Sequence, residues 1–361
     1  MALRILVTIN CRGVDASAEG GLTLARMLSD RGNEVAVQSP PGSAVYLAAK
    51  GMGLPVSGPG LRKASMLSGL LPFRRLVRSF RPDVICTTRA EGQTACAAVA
   101  PEIPSVRVRC DIRKPRSGRL WRYVDRRTDL VVFPSDFMVR RGYQGERSGR
   151  VAVVPHPVDT DRFDFVPRSD DQEPLIVSVA RLSPMKGHRT LIRALSLMPG
   201  KVRAVIAGPP SQQSVAELED YASSLGVAGR LTVSGRVEDV GHIMAMGTIG
   251  VVTSLGSEVV SRSGLEMMST GLPLLAAATN GLLDLVRDGR TGLLHSPGNH
   301  RQLAAQLEFL LGHPFLRESM GRRARKLCLD RYSIPAVGGK WNALLLDLAG
   351  REQDAGPEGI I

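Results

Sequence analysis

The sequence predicts an α/β protein of two domains, each built around a parallel sheet. The chain has 361 residues, which is more than one hydrophobic core usually supports. Short runs rich in Val, Ile and Leu alternate with helical patterns, as expected for strand–helix–strand units. This alternation stops near the middle of the chain and then starts again, so the two domains follow one another in sequence.

The first domain begins with the strand pattern RILVT, the helical pattern GLTLARMLSDRG and the strand pattern EVAVQS. The runs DVICTT, SVRVR, DLVVFPS and RVAVVP follow. Strands that are apolar throughout are typical of parallel sheets buried on both faces. We therefore assign residues 1–160 to an N-terminal domain.

The segment VVPHPVDTDRFDFVPRSDDQEP contains four prolines and a group of acidic residues, and we interpret it as an interdomain linker. The alternation restarts with LIVSVAR and continues through RAVIAG, LTVSG, IGVVTS and GLPLLAAAT, which predicts a C-terminal domain over residues 161–335. A last amphipathic helix is predicted over residues 336–350. The polar residues 351–361 are expected to form a disordered tail.

The net charge of +13 is concentrated in the N-terminal half. Between Arg62 and Arg150 there are 20 Lys and Arg against 8 Asp and Glu, a net charge of +12. This excess indicates either a solvated basic surface or an anionic partner, which would be nucleic acid or the surface of an anionic membrane. Aromatic residues make up only 4% of the chain, which argues against stacking on single-stranded nucleic acid, and no nucleic-acid partner is expected.

The five cysteines lack Cys-x-x-Cys spacing, and the N-terminus lacks a signal-peptide cleavage pattern. These features predict a reduced, cytoplasmic protein without a zinc site. No run approaches the ~18 consecutive apolar residues of a membrane-spanning helix.

The stretch VSVARLSPMKGHRTL places Arg181 and Lys186 in a loop between a strand and a helix. A helix start offers free amides and the positive end of the helix dipole, which together suit an anion. The stretch lacks the glycine patterns of a Walker loop or a dinucleotide fingerprint. It predicts an anion site, with two solvated cations as the alternative; His188 is expected to be an ordinary surface histidine.

The stretch SEVVSRSGLEMMSTGLP carries Glu258 and Glu266 in otherwise apolar surroundings. It predicts a helix over about Arg262–Thr270, with Ser261 or Ser263 as its cap. Glu258 then lies in the loop after a parallel strand, at the edge where open α/β sheets bind ligands. Two surface glutamates are the alternative interpretation.

The two glutamates, with seven residues between them, resemble the nucleotide-sugar signature of retaining glycosyltransferases of family 4, named for its glycosyltransferase group 1 domain. The segments EGGLTLARMLSDRGNEVAV, VVPHPVDTDRF and VARLSPMKGHRTLIRAL extend this resemblance over most of the chain. It implies the GT-B fold, in which two Rossmann-like domains face each other across a cleft and the C-terminal helix returns to the N-terminal domain. It also implies a nucleoside-diphosphate-sugar donor, with UDP, GDP and ADP not distinguished, and no required metal or other cofactor.

The resemblance implies roles for four charged residues. Arg181 and Lys186 would bind the donor diphosphate and stabilise it as it leaves. Glu258 would contact the donor sugar near its anomeric carbon, and Glu266 would hold the ribose hydroxyls.

Three glycines have implied roles through their backbone. A turn at Gly20 and Gly21 would let the N-terminal domain approach the donor phosphates or the acceptor, because a residue without a Cβ permits close contact. Gly208, in AGPPSQQ, lies in the loop that resembles the one flanking the nucleotide base; a turn shaped by Pro209 and Pro210 is the alternative.

The sequence departs from the family pattern in the expected sugar pocket. Cys110 stands where family members commonly have a histidine, and a thiol is a weak hydrogen-bonding partner. Arg109 or Asp111 would then serve the sugar, or activity is altered. Arg262 and Ser263 replace part of a glycine-rich turn and mark a second place where specificity differs.

The run LPFRRLVRSFRPD predicts a basic amphipathic helix that begins at Pro72 and lies on an anionic membrane. A helix packed on the core with a basic outer face is the alternative. The segment RVRCDIRKPRSGRLWRYVDRRTDLVVFPSD resembles members that act on cell-envelope glycolipids. We therefore expect a peripheral protein at the inner face of the plasma membrane, with a glycolipid or lipopolysaccharide-type acceptor; its oligomeric state is left open.

Two other functions remain as alternatives. A catalytically altered GT-B protein that acts as a scaffold or binds nucleic acid is supported by the basic charge and by Cys110. A sugar-nucleotide epimerase would need further catalytic acids and histidines in the cleft.

Overall fold

The computed structural model describes residues 2–11, 13, 15–61, 66–109, 117–142, 150–167, 173–256 and 259–350. The chain divides into two compact units. Unit 1 comprises Met1–Pro155 together with Val337–Ile361, and unit 2 comprises His156–Ala336. The predicted tail, residues 351–361, lies outside the described residues.

Unit 1 is built on a parallel sheet with the strand order β3-β2-β1-β4-β5-β6-β7 among the described residues. The side chains of the central strands β1, β4 and β5 are almost all buried, as the apolar runs of the sequence predict. In chain order, β1 to β7 are Arg4–Thr8, Glu34–Gln38, Val56–Ser57, Val84–Thr87, Ser105–Val108, Leu130–Phe133 and Arg150–Val153. Helices α1 to α6 are Ala16–Ser29, Ala44–Gly51, Met66–Phe80, Ala90–Val99, Arg119–Arg126 and Asp136–Gly142.

Unit 2 repeats this plan with the order β10-β9-β8-β11-β12-β13, again all parallel. In chain order, β8 to β13 are Leu175–Val179, Arg203–Ala207, Leu231–Val233, Ile249–Val252, Leu274–Ala277 and Gly292–His295. Helices α7 to α13 are His188–Ser196, Val215–Ser224, Val240–Met246, Arg262–Ser269, Leu282–Leu285, His300–Gly312 and Pro314–Leu327. The predicted α/β class with two parallel sheets is confirmed.

The last helix, α14 (Ile334–Leu348), returns to unit 1 as predicted. Its residues Val337, Trp341 and Leu345 are buried in the same cluster as the core of β1 and α1. Asn33 donates a hydrogen bond to Asn342 over 3.0 Å. The helix therefore completes the core of unit 1, although it follows unit 2 in sequence.

Helix α3 covers Met66–Phe80 and contains Pro72, so the prediction that Pro72 starts it is wrong. A proline inside a helix removes one backbone hydrogen bond and is costly. The helix continues across it because Gly69, Phe73 and Val77 are buried along one face. Tertiary packing thus overrides the local preference of the proline.

The predicted linker packs into unit 2, largely through Arg325 of α13. One terminal nitrogen of Arg325 lies 3.0 Å from the carbonyl oxygens of Thr160, Phe163 and Ser269 and 2.9 Å from the Ser269 hydroxyl, so its two hydrogens are shared among these acceptors. The other nitrogen pairs with Asp164 at 2.7 Å. The side chain is 14% exposed, and Phe163 is buried in the core. The segment is therefore a structural part of unit 2.

We expect Arg325→Met to lower the free energy of unfolding by about 2–4 kcal/mol, because several buried carbonyls lose their donor. Arg322→Met is the matched control, since Arg322 lies on the same helix and forms an exposed pair with Glu318 that contributes about 0.5 kcal/mol or less. Urea unfolding followed by circular dichroism measures both. Equal losses in the two variants would show that Arg325 has no special structural role.

Candidate functional site

The loop that carries Arg181 and Lys186 lies at the carboxyl edge of the sheet in unit 2, where parallel α/β sheets bind ligands. It leaves β8, forms a 3-10 turn over Pro184–Lys186, and enters α7 through Gly187. Arg181 is exposed and Lys186 is half-buried. The structure thus places both predicted cations on one short, ordered connection.

This loop is fixed by backbone contacts with the loop that follows β11. The Thr253 hydroxyl donates to the carbonyl of Lys186 over 2.9 Å, and the Leu255 amide donates to the carbonyl of Met185 over 2.9 Å. Gly187 has a φ of +68°, and a Cβ there would lie 2.0 Å from the carbonyl oxygen of Thr253. Only glycine fits this position.

Gly208 plays a similar part after β9. A Cβ at this position would lie 1.9 Å from the carbonyl oxygen of Ala180, so the backbone after β9 touches the backbone after β8. The Gly208 amide also donates to the carbonyl of Gly235 over 2.6 Å. Gly208 therefore joins the loops that follow three strands; a contact with a nucleotide base remains a prediction.

The start of α7 has no side-chain cap among the described residues, because its N-cap is Gly187. In the described part of unit 2, side chains cap α8, α9, α10 and α12, whereas α11 and α13 also begin without a side-chain cap. An uncapped helix start leaves amide donors for another acceptor, and an anion suits them best. The uncapped start and the two cations form one candidate anion site.

Helix α10 confirms the predicted cap and extent of the two-glutamate segment. Ser261 accepts a hydrogen bond from the Gly264 amide over 3.3 Å, and the helix covers Arg262–Ser269. Glu266 is half-buried on its second turn. Glu258 lies outside the described residues.

The charges around Glu266 come from two segments. Arg262 lies one turn before it on the same helix face, and Arg162 comes from the linker segment. Burial raises the pKa of the Glu266 carboxyl, while Arg262 and Arg162 oppose that rise. The sequence does not predict this role for Arg162, because no local pattern indicates a contact between residues about a hundred positions apart.

Arg262 also acts on the imidazole of His156. Burial lowers the pKa of His156, its bond with the carbonyl of Pro157 opposes this, and Arg262 adds to the lowering. Ser263 is half-buried beside Arg262, which is exposed. The structure therefore brings Arg262, Glu266, Arg162 and His156 into one electrostatic group.

In unit 1 the predicted Gly20–Gly21 turn is wrong, because both glycines lie inside α1. Asp15 caps that helix by accepting the amides of Ser17 and Ala18, both at 3.0 Å. These two amides are consequently occupied by a side chain. Any role of the glycines toward phosphate or acceptor stays a prediction.

A polar cluster that the sequence does not reveal lies beside this cap. Arg89, after β4, donates to the sulfur of Cys11 over 3.2 Å and pairs with Asp15. Burial opposes ionisation of Asp15, but the amide of Ala18 and the charge of Arg89 lower its pKa overall. The cluster ties the carboxyl ends of β1 and β4 together.

The remaining predicted residues of unit 1 follow β5. Arg109 is half-buried, with its guanidinium carbon 5.9 Å from the centre of the Phe133 ring. Cys110 and Asp111 lie outside the described residues. Their proposed contact with sugar or acceptor stays a prediction.

Family models match two consecutive parts of the chain. Glycosyltransferase Family 4 matches residues 22–162, and Glycosyl transferases group 1 matches residues 159–327. The boundary between the matches falls close to the boundary between the two structural units.

Among curated proteins, alpha-D-kanosaminyltransferase of Streptomyces kanamyceticus is 31% identical over 173 residues, which cover 46% of this chain and 44% of the relative. The lipopolysaccharide core biosynthesis glycosyltransferase LpsE of Rhizobium meliloti is 25% identical over 224 residues, covering 61% of this chain and 65% of the relative. These alignments thus span less than two thirds of either relative.

Among solved structures, Anabaena HepE in complex with UDP has a TM-score of 0.81 at 20% identity. The superposition covers 96% of this chain and 100% of HepE, and it supports the fold. The chain belongs to glycosyltransferase family 4, has a glycosyl transferases group 1 domain in its second half, and adopts the GT-B fold.

Proposed function

We propose that the protein transfers a sugar from a nucleoside-diphosphate sugar to a cell-envelope glycolipid or lipopolysaccharide-type acceptor, with retention of anomeric configuration. The observation that carries this proposal is the candidate anion site of unit 2, in which Arg181 and Lys186 adjoin an uncapped helix start. Such a site matches the diphosphate of a donor in both charge and hydrogen bonding.

The proposed roles of the cations follow from the charges that develop during sugar transfer. As the bond between the sugar and the diphosphate breaks, negative charge grows on the leaving phosphate and positive charge grows on the sugar ring. Arg181, Lys186 and the amides of α7 would stabilise the phosphate in place, without reorganisation during the reaction. Because protein cations supply this stabilisation, we propose that transfer requires no divalent metal.

Glu266 is the proposed partner of the ribose. A carboxylate has two acceptor oxygens, so it can accept both ribose hydroxyls at once. Burial raises the pKa of this carboxyl, and Arg262 and Arg162 offset part of that rise; the ionised carboxylate is the form that acts only as an acceptor. Retention and the contact of Glu258 with the donor sugar rest on the similarity of the two-glutamate segment to retaining members of the family.

The curated and solved relatives guide the choice of substrates. HepE was crystallised with UDP, which makes UDP the first nucleotide to test. LpsE acts in lipopolysaccharide core biosynthesis, which supports an acceptor of that type. The nucleotide, the sugar and the acceptor of this protein are part of the proposal.

The proposed membrane contact rests on α3. Its outer face exposes Leu67 to 86% and Leu71 to 57%, and Arg74, Arg75 and Arg78 continue that face into solvent. Apolar side chains flanked by cations suit the boundary between headgroups and acyl chains of an anionic bilayer. Within the described part of the chain, no helix has the length and apolar character needed to span a membrane.

We expect at least one of UDP, GDP and ADP to raise the melting temperature of the protein, because a ligand that binds only the folded state stabilises it. Lys186→Ala and Glu266→Ala should each weaken binding of that nucleotide about tenfold or more, as measured by calorimetric titration. Lys201→Ala is the control, since Lys201 is an exposed lysine outside the site. No response to any nucleotide would contradict the transferase proposal, whereas wild-type affinity in both variants would contradict the site.

We expect the protein to bind vesicles that contain phosphatidylglycerol at low salt. Replacing Arg74, Arg75 and Arg78 by Gln should reduce this binding about a hundredfold, at about 1 kcal/mol for each cation near the surface. The control replaces three exposed cations of α13, Arg322, Arg323 and Lys326, and so changes the net charge equally. Equal losses in both triple variants, measured by vesicle sedimentation, would contradict a specific role of α3.

A further inference from the structure

His188 is a buried histidine beside the candidate anion site, and the expectation that it is a surface residue is wrong. It is the first residue of α7, follows Gly187 directly, and is 1% exposed. Gly187, the residue before it, lies directly against the backbone of Thr253. By contrast, His242 on α9 is exposed.

The imidazole of His188 bonds back to the start of the loop. Its Nε2 lies 3.0 Å from the carbonyl oxygen of Arg181. A carbonyl only accepts hydrogen bonds, so Nε2 must carry the proton. The other nitrogen, Nδ1, is buried and has no hydrogen-bond partner among the described residues.

The ring is therefore neutral and has one defined tautomer. Burial lowers the pKa of His188, the bond to Arg181 opposes this, and the charge of Lys186 lowers it further. A second proton would add a charge to a buried ring close to an existing cation.

This hydrogen bond joins the two ends of the loop that carries Arg181 and Lys186. Thr253 holds the carbonyl of Lys186 at one end, and His188 holds the carbonyl of Arg181 at the other. The Arg181 carbonyl shares one planar peptide unit with the Leu182 amide, which donates to the carbonyl of Pro209 over 2.9 Å. Loss of the imidazole would remove one of the two hydrogen bonds that orient this peptide unit and, with it, the backbone of Arg181.

We propose that His188 is a positioning residue that fixes Arg181 for contact with the diphosphate of the donor. This inference rests on the proposed function, because it assigns His188 to the same anion site. His188 does not touch the nucleotide itself; it sets the direction from which the guanidinium of Arg181 extends.

Three variants separate this role from simple core packing. The amide nitrogen of Gln occupies nearly the place of Nε2 and can donate to Arg181, whereas that of Asn corresponds to Nδ1 and falls short. We expect His188→Asn and His188→Leu to raise the Kd of the nucleotide about tenfold and His188→Gln to stay within about threefold of wild type. His242→Gln is the control for an exposed histidine.

Calorimetric titration gives these dissociation constants, and circular dichroism confirms that each variant folds. Wild-type affinity in the Asn and Leu variants, or equal losses in the Gln and Asn variants, would overturn the proposal. If wild type itself binds no nucleotide, the proposed function fails instead, so the two failures are distinguishable.

A second measurement needs no variant. Nitrogen NMR of wild-type protein labelled at histidine should show His188 as the neutral tautomer with its proton on Nε2 at pH 7. A proton on Nδ1, or a charged ring, would overturn the proposal even if no variant folds.

Discussion

Close backbone contact between neighbouring loops is the constraint on which the candidate site of unit 2 depends. The loop after β8 touches the loop after β11 at Gly187 and the loop after β9 at Gly208, with no room for a Cβ at either position. Parallel strands bring these loops to one edge of the sheet, but strand geometry alone does not hold them together. The two glycines let carbonyls and amides from separate loops pair directly, which gives a short segment with two cations a defined shape.

Different chemical groups of the candidate site supply positive charge, hydrogen-bond donors and positioning. Arg181 and Lys186 supply positive charge, the start of α7 supplies amides, and neutral His188 supplies position without adding charge. Glu266 lies apart on α10, where burial raises the pKa of its carboxyl and Arg262 and Arg162 offset part of that rise. The proposed cations for the diphosphate and the proposed carboxylate for the ribose therefore belong to different elements of unit 2. Charges and dipoles that are fixed before the reaction stabilise a charged transition state, because the protein groups need little reorganisation as the charge develops.

The sequence predicts the features that depend on local patterns. Apolar runs predict the strands of both sheets, and the extent and cap of α10 follow from Ser261 and the glycine after Thr270. Long-range packing decides the features that are predicted wrongly. Pro72 lies inside α3 because a buried face continues across it, and Gly20 lies inside a helix because Asp15 starts that helix earlier.

The same limit applies to the candidate site. Arg181, Lys186 and Glu266 are recognisable from local spacing, but the partners that orient them are distant in sequence. Arg162 lies about a hundred residues before Glu266, and Arg325 contacts Thr160 of the linker across 165 residues. His188 is adjacent to the site in sequence, yet its burial depends on the packing of the folded unit, which no local pattern predicts.

The central claim is that unit 2 binds the diphosphate and ribose of a nucleotide-sugar donor at the edge formed by these loops. A crystal structure of the protein with a bound nucleoside diphosphate tests it most directly. The account predicts phosphate oxygens within hydrogen-bonding distance of Arg181 and Lys186, and ribose hydroxyls on the carboxylate of Glu266. A nucleotide bound away from the loop between β8 and α7, or with its ribose far from Glu266, would contradict it.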